Sequence, residues 1–165
     1  MSKSPYLKDD NRLAEVIAAL QAMATYKFYK LDFATWADRI TGDENQGDHW
    51  KAVFLEHPEF FRLDSKREKA SLVARRQHQK RFDIDSRAIL TTEQFYAAAN
   101  QDRISRTPLN SDELSLLVNT AIELHSRAVA KTELARWWIP VLSGVLGFLG
   151  ALAGAILAAG GGSPS

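Results

Sequence analysis

Residues 139–159, IPVLSGVLGFLGALAGAILAA, carry no charged side chain in twenty-one positions. All 20 acidic and all 21 basic side chains precede them. A helix of that length, rising about 1.5 Å per residue, spans about 31 Å. The hydrocarbon core of a bilayer is about 30 Å thick. The expectation is a C-terminal transmembrane helix over 139–159. Trp137 and Trp138 stand at its entrance, where amphipathic rings favour the headgroup level, with Arg136 beside them as a third interface anchor. Arg127 and Lys131 extend the basic flank, and only GGGSPS, residues 160–165, follows. Basic flanks stay cytoplasmic. The arrangement reads as a single-pass, tail-anchored chain in the inner (cytoplasmic) cell membrane, with its N-terminus in the cytoplasm and its C-terminus outside.

Pro140 either bends a helix that runs in from the cytoplasmic side or sits in the first turn of a helix that begins there. Small residues recur along the span. Ser143, Gly147, Ala151, Ala155 and Ala159 repeat every four positions, and Gly150 with Gly154 makes a GxxxG pair. Such faces let helices approach closely in lipid. They are candidates for homo-oligomerisation or for pairing with a membrane partner, although Gly and Ala are common in such spans anyway.

The preceding 138 residues have ordinary polarity. The chain has no cysteine, which excludes disulfides, thiol chemistry and Cys-based zinc sites. The N-terminus, MSKSPYLKDDNRLAEV, lacks an apolar run and is no secretory signal. Residues 1–10 read as a flexible N-terminus.

From Asn11 to about Tyr29, apolar residues Leu13, Val16, Ile17, Leu20, Met23 and Ala24 fall at helical spacing. Ala34–Ile40 reads as a second helix, opened near Asp32 and stopped at Thr41-Gly42. The polar loop GDENQGD leads into a third helix over Asp48–Glu56, ended by Pro58. Phe60–Leu63 and Ala70–Arg75 are strand-like around a polar turn, a hairpin signal. Phe82–Ile84 reads as a further short strand. Thr91 and Gln94 have capping-box spacing for a helix through about Asn100. QDRISRTPL reads as a linker or ordered turn. Asn110 and Glu113 repeat the capping spacing at the start of a long helix. That helix carries Leu114, Leu117, Ala121, Leu124 and Ala128 at heptad spacing, either as a weak coiled coil or packed back on the domain.

The segments LAEVIAALQAM, ATWADRI, DHWKAVFLEH, EFFRL and KASLVARR follow the order helix, helix, helix, hairpin. In that order residues of about 11–76 resemble a winged-helix domain, although the loop before the third helix is longer than a usual helix-turn-helix turn. The expected fold is thus mainly α with a small β-hairpin. A winged-helix-like domain fills 11–90, a short helix and linker 91–110, an amphipathic stalk helix 111–138 and the transmembrane helix 139–159, and a short non-cytoplasmic tail ends the chain.

Charge is uneven. Residues 59–82 hold 8 basic and 3 acidic side chains, whereas the segments on either side are each net negative. The candidate contacts for nucleic acid or anionic lipid are therefore Arg62, Lys66, Arg67, Lys69, Arg75, Arg76, Lys80 and Arg81. A solvated charged hairpin is the plain alternative. The third helix offers only His49, Lys51 and His57, with Asp48, Glu56 and Glu59 nearby, a poor surface for a polyanion.

The four histidines show no metal-ligand spacing. Asp83-Ile84-Asp85-Ser86-Arg87 fails as a calcium loop, because Arg87 takes a ligand position and Gln94 the place of the bidentate Glu. No catalytic, cofactor-binding or metal-binding residue is expected, and no enzyme. The leading expectation is a protein-interaction adaptor at the inner membrane face, with the lipid bilayer and an unidentified protein as partners. The alternatives are a membrane-tethered nucleic-acid binder that uses the basic wing, and a small oligomerising membrane effector.

Overall fold

The computed structural model describes residues 4–136. Residues up to His125 form one compact unit, and a second begins at Ser126. The described chain is mainly helical, with two small antiparallel sheets.

The first helix, α1, spans Arg12–Thr25. Of its periodic apolar residues Val16, Leu20, Met23 and Ala24 are fully buried, as is Ala19, whereas Leu13 and Ile17 are only partly so. It is shorter than its periodicity suggests. At Tyr26 the backbone turns extended, and Lys30–Asp32 forms strand β1. The N-terminal segment is also corrected: Pro5–Leu7 makes a 3-10 turn that buries Tyr6, so residues 4–10 belong to the domain.

Helix α2, Phe33–Thr41, has the punctuation that its sequence implies. Asp32 Oδ1 accepts from the Thr35 amide at 2.8 Å, satisfying one of the amides that a helix start leaves without a partner. Gly42 closes the helix in the left-handed region at φ 77, where a side chain is disfavoured. A 3-10 turn at Glu44–Gln46 takes up the extra loop length before α3, Gly47–Glu56. Gly47 lies against α2: a Cβ there would sit 3.2 Å from the Ala34 amide nitrogen.

Strands β2, Phe61–Leu63, and β3, Lys69–Leu72, form the hairpin, and β1 adds on the far side of β3 to give the order β1-β3-β2. One face of this sheet, including Phe61, Ala70 and Leu72, is buried. Phe54 of α3 meets Phe61 at 4.9 Å between ring centroids, and the Trp36 indole of α2 donates to the Ala70 carbonyl at 3.0 Å. The core thus lies between the sheet and the three helices.

A second sheet follows, with β4 (Phe82–Asp83) flanked by β5 (Ala88–Ile89) and β6 (Ile104–Ser105). β6 falls inside the stretch that reads as a linker. Between β5 and β6, α4 runs over Thr92–Ala97, ending earlier than expected, with the Thr91–Gln94 capping box formed. Helix α5, Ser111–Arg136, starts at a reciprocal pair in which Asn110 and Glu113 each accept from the other's amide at 2.9 Å. In its first half Ala121 is fully buried, and His125 meets the Tyr6 ring at 6.1 Å.

The membrane expectation is corrected. Among the described residues no helix is long and apolar enough to cross a membrane. The longest, α5, carries seven Asp, Glu, Lys and Arg residues along its length. The description of the chain as a single-pass, tail-anchored transmembrane protein therefore has no support from the described structure. The expected span 139–159, with Ser143, Gly147, Gly150, Ala151, Gly154 and Ala155, lies outside the described residues, as do Trp137 and Trp138. Arg136 is the last residue of α5.

Candidate functional site

Three features of the first unit carry unusual chemistry: the exposed side of α3, the basic outer side of the first sheet, and a cluster of buried Tyr6 and His57 with the exposed Glu59.

On α3 the buried positions are Trp50, Val53 and Phe54. Helical geometry then turns Asp48, His49, Ala52 and Leu55 outward, and all four are exposed. Leu55 is 48% exposed, an apolar side chain in a polar setting. His49 is drawn sideways to Glu15 at 2.8 Å. Lys51 lies over the Phe33 ring at 5.3 Å. Glu56 takes Lys8 at 2.5 Å and Arg12 at 3.4 Å, so the end of α3 is locked to the N-terminal segment and α1.

The basic residues divide into two groups. Arg62, Lys66, Arg67, Lys69, Arg76 and Lys80 are exposed, and Arg81 is partly so. Arg67 sits at the hairpin tip with φ 57. Asp64 shapes that tip by accepting from the Glu68 amide at 2.9 Å and the Lys69 amide at 3.2 Å. Arg75 is the exception and corrects the sequence reading, because it is 0% exposed and cannot meet a polyanion. Its guanidinium donates to the carbonyls of Met23 (2.9 Å), Tyr26 (2.6 Å), Phe28 (3.4 Å) and Arg106 (2.6 Å). It thereby closes the C-terminal end of α1, whose last carbonyls have no partner within the helix.

The sheet register places Lys30 opposite Ser71 and Arg62 opposite Ser71. Directly paired residues share a face, so the three form one row on the outer face of the sheet. Arg106 reaches the same region from the segment after β6. It donates to the carbonyls of Arg76 (2.6 Å) and His78, and its guanidinium lies 5.2 Å over the Tyr29 ring. The sequence reading misses Lys30 and Arg106. Lys30 follows what reads as the tail of a helix, and Arg106 lies in what reads as a linker. Neither carries a local signal, since only the strand pairing brings them to Arg62 and Arg76.

The third feature runs from the interior to the surface, where Glu59 is exposed. His57 is fully buried, its Nδ1 3.0 Å from Glu59 Oε1, and the Tyr6 hydroxyl donates to the same oxygen at 3.2 Å. The Tyr6 and His57 rings meet edge-on at 4.5 Å. His57 Nε2 has no hydrogen-bond partner among the described residues. Burial pushes the Tyr6 hydroxyl well above its usual range, and the Glu59 charge adds to this. Burial also pushes the Glu59 carboxyl up, but the hydrogen bonds from His57, its own amide and Tyr6 outweigh that and hold it below the usual 4.5. Because its folded value is depressed, the stability contributed by Glu59 is present above the ordinary carboxylate value. It is lost as pH falls through the folded one. Urea unfolding followed into the acid range should therefore show a shallower acid loss for Glu59→Gln than for the unaltered chain. An identical slope for the two proteins would exclude this assignment.

A third histidine contact joins His78 to Glu113 at 3.0 Å. Asp83 accepts from the Asp85 amide and the Ser86 hydroxyl, and Asp85 pairs with Arg103, so this turn is closed by its own side chains. Among the described residues no group of three or more His, Asp or Glu side chains is placed to hold a metal ion.

Comparison with protein-family models, with curated proteins and with solved structures finds no match for this chain.

Proposed function

We propose that residues 12–72 form a winged-helix domain and that this domain is a protein-interaction adaptor, reading its partner with the exposed side of α3. The element order α1, β1, α2, α3, β2, β3 and the strand order β1-β3-β2 support the fold assignment. The observation that carries the function is the character of α3. Its outward positions are Asp48, His49, Ala52 and Leu55, with exposed Glu44 just before it. A helix that enters a nucleic-acid groove must lie among phosphates and offer donors to base edges. This one offers a carboxylate, a histidine already engaged by Glu15, and a half-exposed leucine. Such a mixture suits a protein partner with an apolar anchor and basic neighbours.

One observation favours a second reading, a nucleic-acid binder. Arg62, Lys66, Arg67 and Lys69 are exposed along the hairpin, a shape that can follow a phosphate backbone.

The two readings separate in one experiment on the full chain. Two variants are compared: the single substitution Leu55→Glu, and a hairpin variant that combines Lys66→Glu with Arg67→Glu. Partner capture that Leu55→Glu abolishes and the hairpin variant leaves intact supports the adaptor. Salt-steep DNA binding, read by fluorescence anisotropy and lost only in the hairpin variant, replaces it with the second reading.

A further inference from the structure

We propose that the cleft on the outer face of the first sheet is a binding site for the phosphate group of a small phosphorylated ligand. The proposal is independent of what α3 binds.

The cleft has a volume of about 400 Å³, within the usual range for small-ligand sites. Tyr29 and Lys30 line it at the start of β1, Arg62 from β2, Ser71 from β3, Arg76 from the turn after β3, and Arg106 from the segment after β6. Four of these six residues are cations. The one carboxylate in the lining, Asp64, is turned to the hairpin, where its Oδ1 already accepts from two amides. Burial pushes the Asp64 carboxyl up, but those amides and the nearby Lys30 and Lys69 charges hold it below the usual range, so it stays an anion committed to the turn. Among the described residues Lys30, Arg62 and Arg76 make no salt bridge. A concave surface that gathers like charges raises the local concentration of counter-ions.

Preorganisation sets this cleft apart from a loose basic surface. Arg75 is anchored inside the protein by four carbonyls, which fixes the turn that carries its neighbour Arg76. The Arg76 carbonyl is in turn held by Arg106, whose guanidinium rests on the Tyr29 ring. In the row Lys30–Ser71–Arg62 the central serine is only 2% exposed, with its hydroxyl donating to the Arg62 carbonyl at 3.3 Å. Two guanidiniums and an ammonium on a fixed frame suit a tetrahedral oxyanion, which accepts several hydrogen bonds at once and matches the planar fork of arginine. A carboxylate would leave most of these donors unused. The phosphate is the shared chemistry. It can come from a small phosphorylated molecule, to which the small volume of the cleft points, or from the backbone of a nucleic-acid polymer.

The test is calorimetric titration of the full chain with inorganic pyrophosphate and, separately, with a single-stranded oligonucleotide, at fixed ionic strength. The expected result is saturable one-to-one binding of pyrophosphate. The double variant Arg62→Gln, Arg76→Gln should weaken it by about tenfold or more. Lys80→Gln, an exposed cation outside the cleft lining, should leave it unchanged. Both altered arginines are exposed, and matching thermal unfolding of the variants confirms that the fold is kept. Three outcomes overturn the proposal: no saturable pyrophosphate binding, equal loss in Lys80→Gln, or binding of the oligonucleotide alone. Because α3 is untouched by these variants, failure here leaves the partner-capture result with Leu55→Glu standing or falling separately.

Discussion

Replacing Arg75 with alanine should lower the unfolding free energy by about 3–5 kcal/mol, from hydrogen bonds to a charged donor that are lost together with the cavity left behind. Arg75 is 0% exposed and, among the described residues, meets no carboxylate. Burial pushes its guanidinium down to about 10, which still leaves it charged at neutral pH. The charge is compensated by carbonyl dipoles alone: three near the end of α1 and one at Arg106. Alanine would leave those carbonyls without their donor inside the protein, and each such loss costs roughly 1–3 kcal/mol. It would also open a cavity. Arg75→Met keeps most of the volume and so separates the two contributions. If hydrogen bonding dominates, methionine recovers less than half of the loss. Arg75→Lys keeps the charge but has one ammonium for four acceptors, and should also fall short. Urea unfolding followed by the fluorescence of Trp36 and Trp50 measures all three. A loss below about 1 kcal/mol for alanine would show that the carbonyls find other partners.

The second large effect is at Trp36. Its side chain is 0% exposed, and its indole donates to Ala70 in the central strand at 3.0 Å. Trp36→Ala should cost about 3–5 kcal/mol, the range for large aromatic truncations in a core. For a small domain of marginal stability that is a large share of the total. Trp36→Phe keeps much of the ring but leaves the Ala70 carbonyl short of a donor, so about 1–3 kcal/mol is expected. Trp50 is the control. It is 2% exposed, and its Nε1 has no acceptor among the described residues. Trp50→Phe removes a buried donor that gains nothing and should cost clearly less than Trp36→Phe. Equal costs at the two positions would rule out the α2-to-sheet hydrogen bond as the cause.

These two residues also show what a sequence can and cannot reveal. Trp36 lies in a helix whose limits are readable, because Asp32 and Gly42 act locally: one caps an amide three residues on, the other takes a left-handed φ. The Thr91–Gln94 and Asn110–Glu113 pairs are readable for the same reason. Arg75 and Arg76 are adjacent and chemically identical, yet one is buried and the other exposed. Nothing in the run VARRQ distinguishes them; the distinction comes from α1, which is remote in sequence. Strand β1 escapes a reading of the sequence because three residues are too few to show a period and its partner is distant. With β1 unseen, Lys30 cannot be placed beside Arg62, so the basic residues look like a charged hairpin rather than the wall of a cleft.

The pairing of Lys30 with Ser71 also bears on the order in which the domain assembles. The hairpin β2–β3 closes within a few residues, whereas β1 must find β3 across roughly forty positions. Long closures of this kind are slow to form and costly in chain entropy. The hairpin can form early, and β1 joins only once α2 and α3 have brought the chain back. In native-state hydrogen exchange the amides of 30–32 should then open more readily than those of 69–72, and equal protection would refute this order. The wall formed by Lys30 is thus the last part of the cleft to be built and the first to be lost.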